Sequence, residues 1–109
     1  MDPRTRRIAE NESRFRDINE RLGFDLHRLP GDPGPVDFVC ECGMVDCAQP
    51  VSLALPEYEH VRSDPLLFAV VPGHELLDVE DVVERTDRYA IVRKHRESAD
   101  LVKETDPRS

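Results

Sequence analysis

Cys40, Cys42 and Cys47 are the only cysteines in the chain, and all three lie in the run Cys40-Glu41-Cys42-Gly43-Met44-Val45-Asp46-Cys47. The C-x-C-x4-C spacing gathers three soft sulfur donors on one short stretch. Three thiolates and one imidazole form a closed tetrahedral Zn²⁺ site, with Zn–S near about 2.3 Å and Zn–N near about 2.0 Å. Soft donors in tetrahedral array favour zinc over harder cations. Gly43 follows the second cysteine, where a tight turn around a metal needs backbone freedom. An odd cysteine count with no secretory context speaks against a disulfide framework. Three other readings compete with zinc. Unliganded buried thiols would behave as small hydrophobes. An iron–sulfur cluster usually draws four cysteines. Cys40 and Cys42 could instead be a redox-active pair, although acidic neighbours disfavour the thiolate.

The fourth ligand must come from elsewhere, and four histidines are available: His27, His60, His74 and His95. His74 leads, because Pro72-Gly73-His74-Glu75 is a turn directly after the apolar run Leu66–Val71 and can present a ligand to a knuckle at the end of another strand. His60, on a short predicted helix after the cluster, is second. Asp46, water, His27 and His95 stay open. Glu75 is expected to orient the imidazole as an outer carboxylate partner.

A catalytic zinc keeps an open position beside a general base. Glu41, Asp46 and Glu75 could supply that carboxylate. The deaminase pattern H-x-E…P-C-x-x-C is absent, as are HExxH, G-x-S-x-G, a P-loop and a dinucleotide fingerprint. The expected role is therefore structural. A modest aliphatic core with 6% aromatic residues and no Trp is marginal alone. A zinc ion, contributing on the order of 10–16 kcal/mol coupled to folding, would staple its middle.

The elements that must position these ligands follow from pattern. Residues 1–22 read as a charged helix, N-capped by Asp2, with Pro3 at the first turn and Gly23 as its stop. Ile8, Phe15, Ile18 and Leu22 form its narrow apolar stripe. Residues 23–35 are a Gly/Pro loop that Leu26 and Leu29 could pin to the core, with His27 facing solvent. Residues 36–105 are the zinc-stabilised domain. Short β-like runs at Val36–Cys40, Val51–Leu55 and Leu66–Val71 enclose a short helix over Pro56–Ser63 that buries Tyr58 and Val61. A hairpin pairs Val79–Arg85 with Tyr89–Lys94, and Ser98 is positioned to cap a short final helix. Residues 106–109 are a tail. The fold class is α+β: a small antiparallel sheet with a zinc knuckle and a helix at each end.

Charge narrows the partners. Residues 1–22 hold six Arg against five acids, whereas residues 29–84 hold twelve Asp or Glu against Arg62 alone. With a net charge of −8, nucleic acid is disfavoured as a partner, and the knuckle carries Glu41 and Asp46 but no basic residue. The acidic body would steer basic partners toward it. No apolar run approaches the roughly 20 residues that span a bilayer. The charged start offers no signal-peptide core, so a cytoplasmic protein is expected.

FVCECGMVDC, followed by EYEHVRSDPLLFAVVPGHE and the VVERTDRYAIVRK hairpin, resembles a family of small uncharacterised actinobacterial proteins over nearly the whole chain. The resemblance implies that Cys40, Cys42, Cys47 and His74 carry the metal. The resulting expectation is a non-enzymatic zinc-binding domain that serves as a protein-interaction or regulatory module. The alternative is a small zinc hydrolase or thiol-redox enzyme acting at Cys40, Cys42 and Cys47.

Overall fold

The computed structural model describes residues 2–47 and 49–108. Eight elements follow one another: α1 (Pro3–His27), β1 (Val36–Val39), β2 (Pro50–Leu53), α2 (Leu55–Arg62), β3 (Leu67–Val70), β4 (Glu80–Arg85), β5 (Ala90–Lys94) and α3 (Arg96–Glu104). The architecture is α+β, as the sequence pattern indicates. Its strands, however, form two antiparallel sheets rather than one. β1 pairs with β2, Phe38 opposite Val51, and the second sheet has the order β3-β5-β4, with Phe68 opposite Val92. Glu41 joins them just past β1: its backbone N–H donates to the Ala69 carbonyl at 2.9 Å, and its carboxylate accepts from the Ala69 N–H at 3.0 Å.

Asp2 caps α1 as expected, accepting from the Thr5 N–H at 2.9 Å. The helix does not stop at Gly23 but runs on to His27, leaving only residues 28–35 as the Gly/Pro loop. Opposite Gly23 lies the Tyr58 ring, 3.5 Å from where a β-carbon would sit, an ordinary van der Waals contact. Glycine costs a helix interior about 1 kcal/mol relative to alanine. Here that cost falls where α1 packs on α2, whose Tyr58 and Val61 are fully buried. Leu26 packs on the core, but Leu29 is exposed and pins nothing.

The buried face of α1 is only partly the apolar stripe: Ile8 is buried and Leu22 packs on the core, with Phe15 half-buried. Ile18 is 49% exposed, whereas Glu12, Arg16 and Asn19 are fully buried. Buried polar groups require partners, and each of these has one placed by a distant segment. Arg16 donates to the Leu67 carbonyl at 2.6 Å and lies 3.7 Å over the Phe68 ring. Asn19 clasps the backbone of Val39 from both sides, donating at 2.7 Å and accepting at 2.8 Å. Glu12 meets Lys94, with Nζ to Oε1 at 2.8 Å. Fixed hydrogen bonds join the apolar contacts of Ile8, Ala9 and Leu22 in setting the rotation of this helix.

Two boundaries at the C-terminal end also shift. α3 is N-capped by His95, whose N–H donates to the Val79 carbonyl at 3.0 Å as the chain leaves β5, so Ser98 sits buried inside the helix instead of capping it. Asp106 is no free tail: it pairs with the buried Arg62 and lies 3.6 Å from Arg16. Arg108 bridges Glu20 and Glu59. Two clusters fill the core. One is built on Phe38, Leu53, Tyr58 and Ile91, with Phe38 and Tyr58 stacked at 4.5 Å. The other, on Phe68, Val70, Val92 and Val102, contains Cys40 and Cys42. Among the described residues, no helix is long and apolar enough to cross a membrane.

Candidate metal centre

The Cys40–Cys47 knuckle is built by its own turn chemistry and held by α1. The Cys47 N–H closes onto the Met44 carbonyl at 3.0 Å, and Cys40 donates its N–H to Gln49 at 3.2 Å. Gly43 has φ +82°, a left-handed conformation that favours glycine. A β-carbon there would also lie 2.8 Å from Ile8 Cγ2 and 3.1 Å from the Ile8 carbonyl. Asn11 seals the contact by donating to the Gly43 carbonyl at 3.0 Å. Gly43→Ala is therefore expected to lose about 2–3 kcal/mol of stability in urea unfolding of the metal-loaded protein, from strain and steric overlap together.

The opposing wall is the turn after β3. Gly73, at φ +97°, and the 2.9 Å bond from His74 N–H to the Val71 carbonyl fold the chain back and carry the imidazole to the knuckle. The result joins all four sequence-predicted ligands. Their ligand atoms lie within 4.8 Å of one another. His74 Nδ1 is 3.6 Å from both Cys40 Sγ and Cys47 Sγ. A tetrahedron with the usual Zn–S and Zn–N lengths has S···N edges of about 3.5 Å. The donor set and these two S···N distances thus fit a soft tetrahedral ion. The Val71 N–H donates to Cys40 Sγ at 3.2 Å, an arrangement that stabilises a thiolate.

Proton affinities within the cluster are divided. The Cys42 thiol is lowered to about 5, chiefly by the hydrogen bond with Cys40, while burial opposes the shift. Cys40 is pushed up, first by that same bond and then by burial. Cys47 is also raised, mainly by burial.

Among the described residues, the other proposed ligands do not join the group. His27 is exposed and lies 3.3 Å from Glu59, and His95 lies 3.2 Å from Asp81. His60 and Asp46 are exposed. Glu75 does not orient His74; it pairs with Arg85. Glu41 cannot serve as a general base in a site. It is fully buried, its carboxylate accepts from Ala69 and from Asn19 at 2.9 Å, and burial raises its pKa against the attraction of Arg16.

Two groups that sequence reasoning missed position the site. Glu41, between the first two cysteines, fastens the knuckle to β3. Glu80, fully buried beside Lys94, accepts from the Leu76 N–H at 3.1 Å and so ties down the His74 turn. Neither has a local signature, since an acidic residue beside Cys or Val reads as solvent-facing. A cleft of about 430 Å³ opens against the cluster, with Cys42, Cys47, His74, Met44, Glu75 and Leu76 among its walls.

The geometry defines a small α+β domain with a Cys3His group of metal-ligating kind. Compared with protein-family models, curated proteins and solved structures, the chain has no significant match.

Proposed function

We propose that Cys40, Cys42, Cys47 and His74 hold one Zn²⁺ as a structural ion, and that the protein is a non-enzymatic interaction or regulatory module built around it. The carrying observation is the convergence of four donor atoms within 4.8 Å from two segments far apart in sequence. The ion, when bound, supplies folding free energy and neutralises thiolates that would otherwise repel one another in the core. Protein residues complete the device: Glu41 and Asn19 fix the knuckle, while Glu80 fixes the turn opposite. A reducing compartment such as the cytoplasm keeps the three thiols available.

The Arg-rich start is less free to recruit partners than its composition suggests. Arg4 pairs with Asp78, and Arg6 pairs with Glu10 at 2.9 Å. The acidic body is then the better candidate for a partner surface, and basic proteins are the better candidate partners.

The cleft beside Cys47 and His74 favours one rival reading, a hydrolase or thiol-redox enzyme with an open metal position or a reactive cysteine. Iodoacetamide mass mapping, paired with X-ray absorption of the zinc-loaded protein, separates the two. A structural site predicts a complete shell of three sulfurs and one nitrogen. It also predicts that all three cysteines resist alkylation until a chelator is added. A water in the shell, or rapid alkylation of one cysteine with zinc still bound, would favour the enzyme.

A further inference from the structure

The wall of the cleft against the metal centre holds a buried acceptor with nothing to accept, which a small turn of the side chain would bring to the cleft. Glu75 lines it, and its side chain is only 4% exposed. One carboxylate oxygen is taken by Arg85, but Oε2 is buried with no hydrogen-bond partner among the described residues. A buried carboxylate oxygen left unpaired is costly, so an arriving donor gains an unusually strong bond there. The surroundings select a cation. A zinc ion held by three thiolates and a neutral His74 imidazole carries one net negative charge, Asp46 adds another at the rim, and the described lining includes no Lys or Arg, Arg85 offsetting only the charge of Glu75. Met44 and Leu76 make part of the wall apolar.

We propose that this cleft receives a lysine side chain of a partner protein, with its ammonium on Glu75 Oε2 and its methylene stem along Met44 and Leu76. Lysine fits better than arginine because a single oxygen is free. Arg85 already occupies the other, so a guanidinium could not make its paired contact, whereas a compact ammonium needs only one acceptor. The four-carbon stem gains by covering apolar wall. The acidic body between residues 29 and 84 would draw such a basic partner in. The inference deepens the interaction-module reading and rests on it, with the bound metal holding one wall of the cleft.

The test is a titration of ¹⁵N-labelled, zinc-loaded protein with Nα-acetyl-lysine-N-methylamide, followed by amide NMR, with zinc content measured on every sample. The norleucine and arginine analogues serve as controls. Saturable shifts at Gly73, Glu75 and Leu76 are expected, with lysine binding about tenfold tighter than norleucine and tighter than arginine. Glu75→Gln should abolish the preference for lysine over norleucine. Because position 75 adjoins a ligand, Met44→Ser provides an independent variant: Met44 is 46% exposed, so its loss should weaken binding several-fold while the zinc content holds. Absence of saturation in a protein that carries its zinc, or equal binding of norleucine and lysine, overturns the proposal. A folded, zinc-free protein that still prefers lysine would uphold the cleft and defeat the metal reading alone.

Discussion

A strong chelator added to the native protein is expected to unfold its middle, seen as loss of amide dispersion in NMR and of the cooperative thermal transition. The size of the effect follows from two magnitudes. A structural zinc site of this kind is worth on the order of 10–16 kcal/mol of apparent binding free energy. A domain of this length has a total stability of about 5–15 kcal/mol. Removing the ion therefore takes away as much as the fold has in reserve. Cys40 and Cys42 are part of the second core cluster, 0% and 1% exposed, so the metal-free thiols cannot simply turn out to solvent. The two segments they join would separate, and with them the link that Glu41 makes between the sheets. Readdition of Zn²⁺ should restore the spectrum. An unchanged transition after complete demetallation would mean that the apolar clusters alone hold the domain.

Arg16→Ala is expected to destabilise the zinc-loaded protein by about 3–5 kcal/mol in urea unfolding, whereas Arg14→Ala two residues away should stay within about 0.5 kcal/mol. Arg14 is exposed, while the Arg16 side chain is 0% exposed. Truncating Arg16 strips the Leu67 carbonyl of its donor, removes the cation stacked on Phe68 and takes one positive charge from beside Asp106. It also leaves a cavity where one of the largest fully buried side chains stood. Similar small effects for the two variants would show that α1 is only laid against the body rather than keyed into it.

The contrast between these two arginines marks how far the sequence could be read. The Cys3His group was legible because cysteine is scarce in this chain and the three sit together. The Pro72-Gly73 turn after an apolar run also singled out His74 among four histidines. The hairpin of β4 and β5 and the burial of Tyr58 and Val61 followed from local periodicity in the same way. The rotation of α1 followed only in part, because its buried face mixes Ile8 and Ala9 with polar residues. Glu12, Arg16 and Asn19 belong inside only by virtue of Lys94, Leu67 and Val39, and no local pattern reports contacts so distant. Gly23 reads as a stop from local pattern, yet α1 continues through it to His27 and packs there on Tyr58 of α2. The two sheets are linked through Glu41, whose bonds to Ala69 cross 28 residues and leave no local pattern. Ser98 and Asp106 were misplaced for the same reason: their roles are set by where β5 and Arg62 lie.

The central claim is a single zinc held by Cys40, Cys42, Cys47 and His74, and metal content by mass spectrometry under native conditions tests it most directly. The wild-type protein is expected to carry one zinc per chain. The His74→Ala variant is expected to bind zinc about 100-fold or more weakly. That factor reflects one ligand's share of the total binding energy, at about 1.4 kcal/mol per tenfold change. A wild-type protein that is folded, free of zinc and unable to take it up would contradict the account.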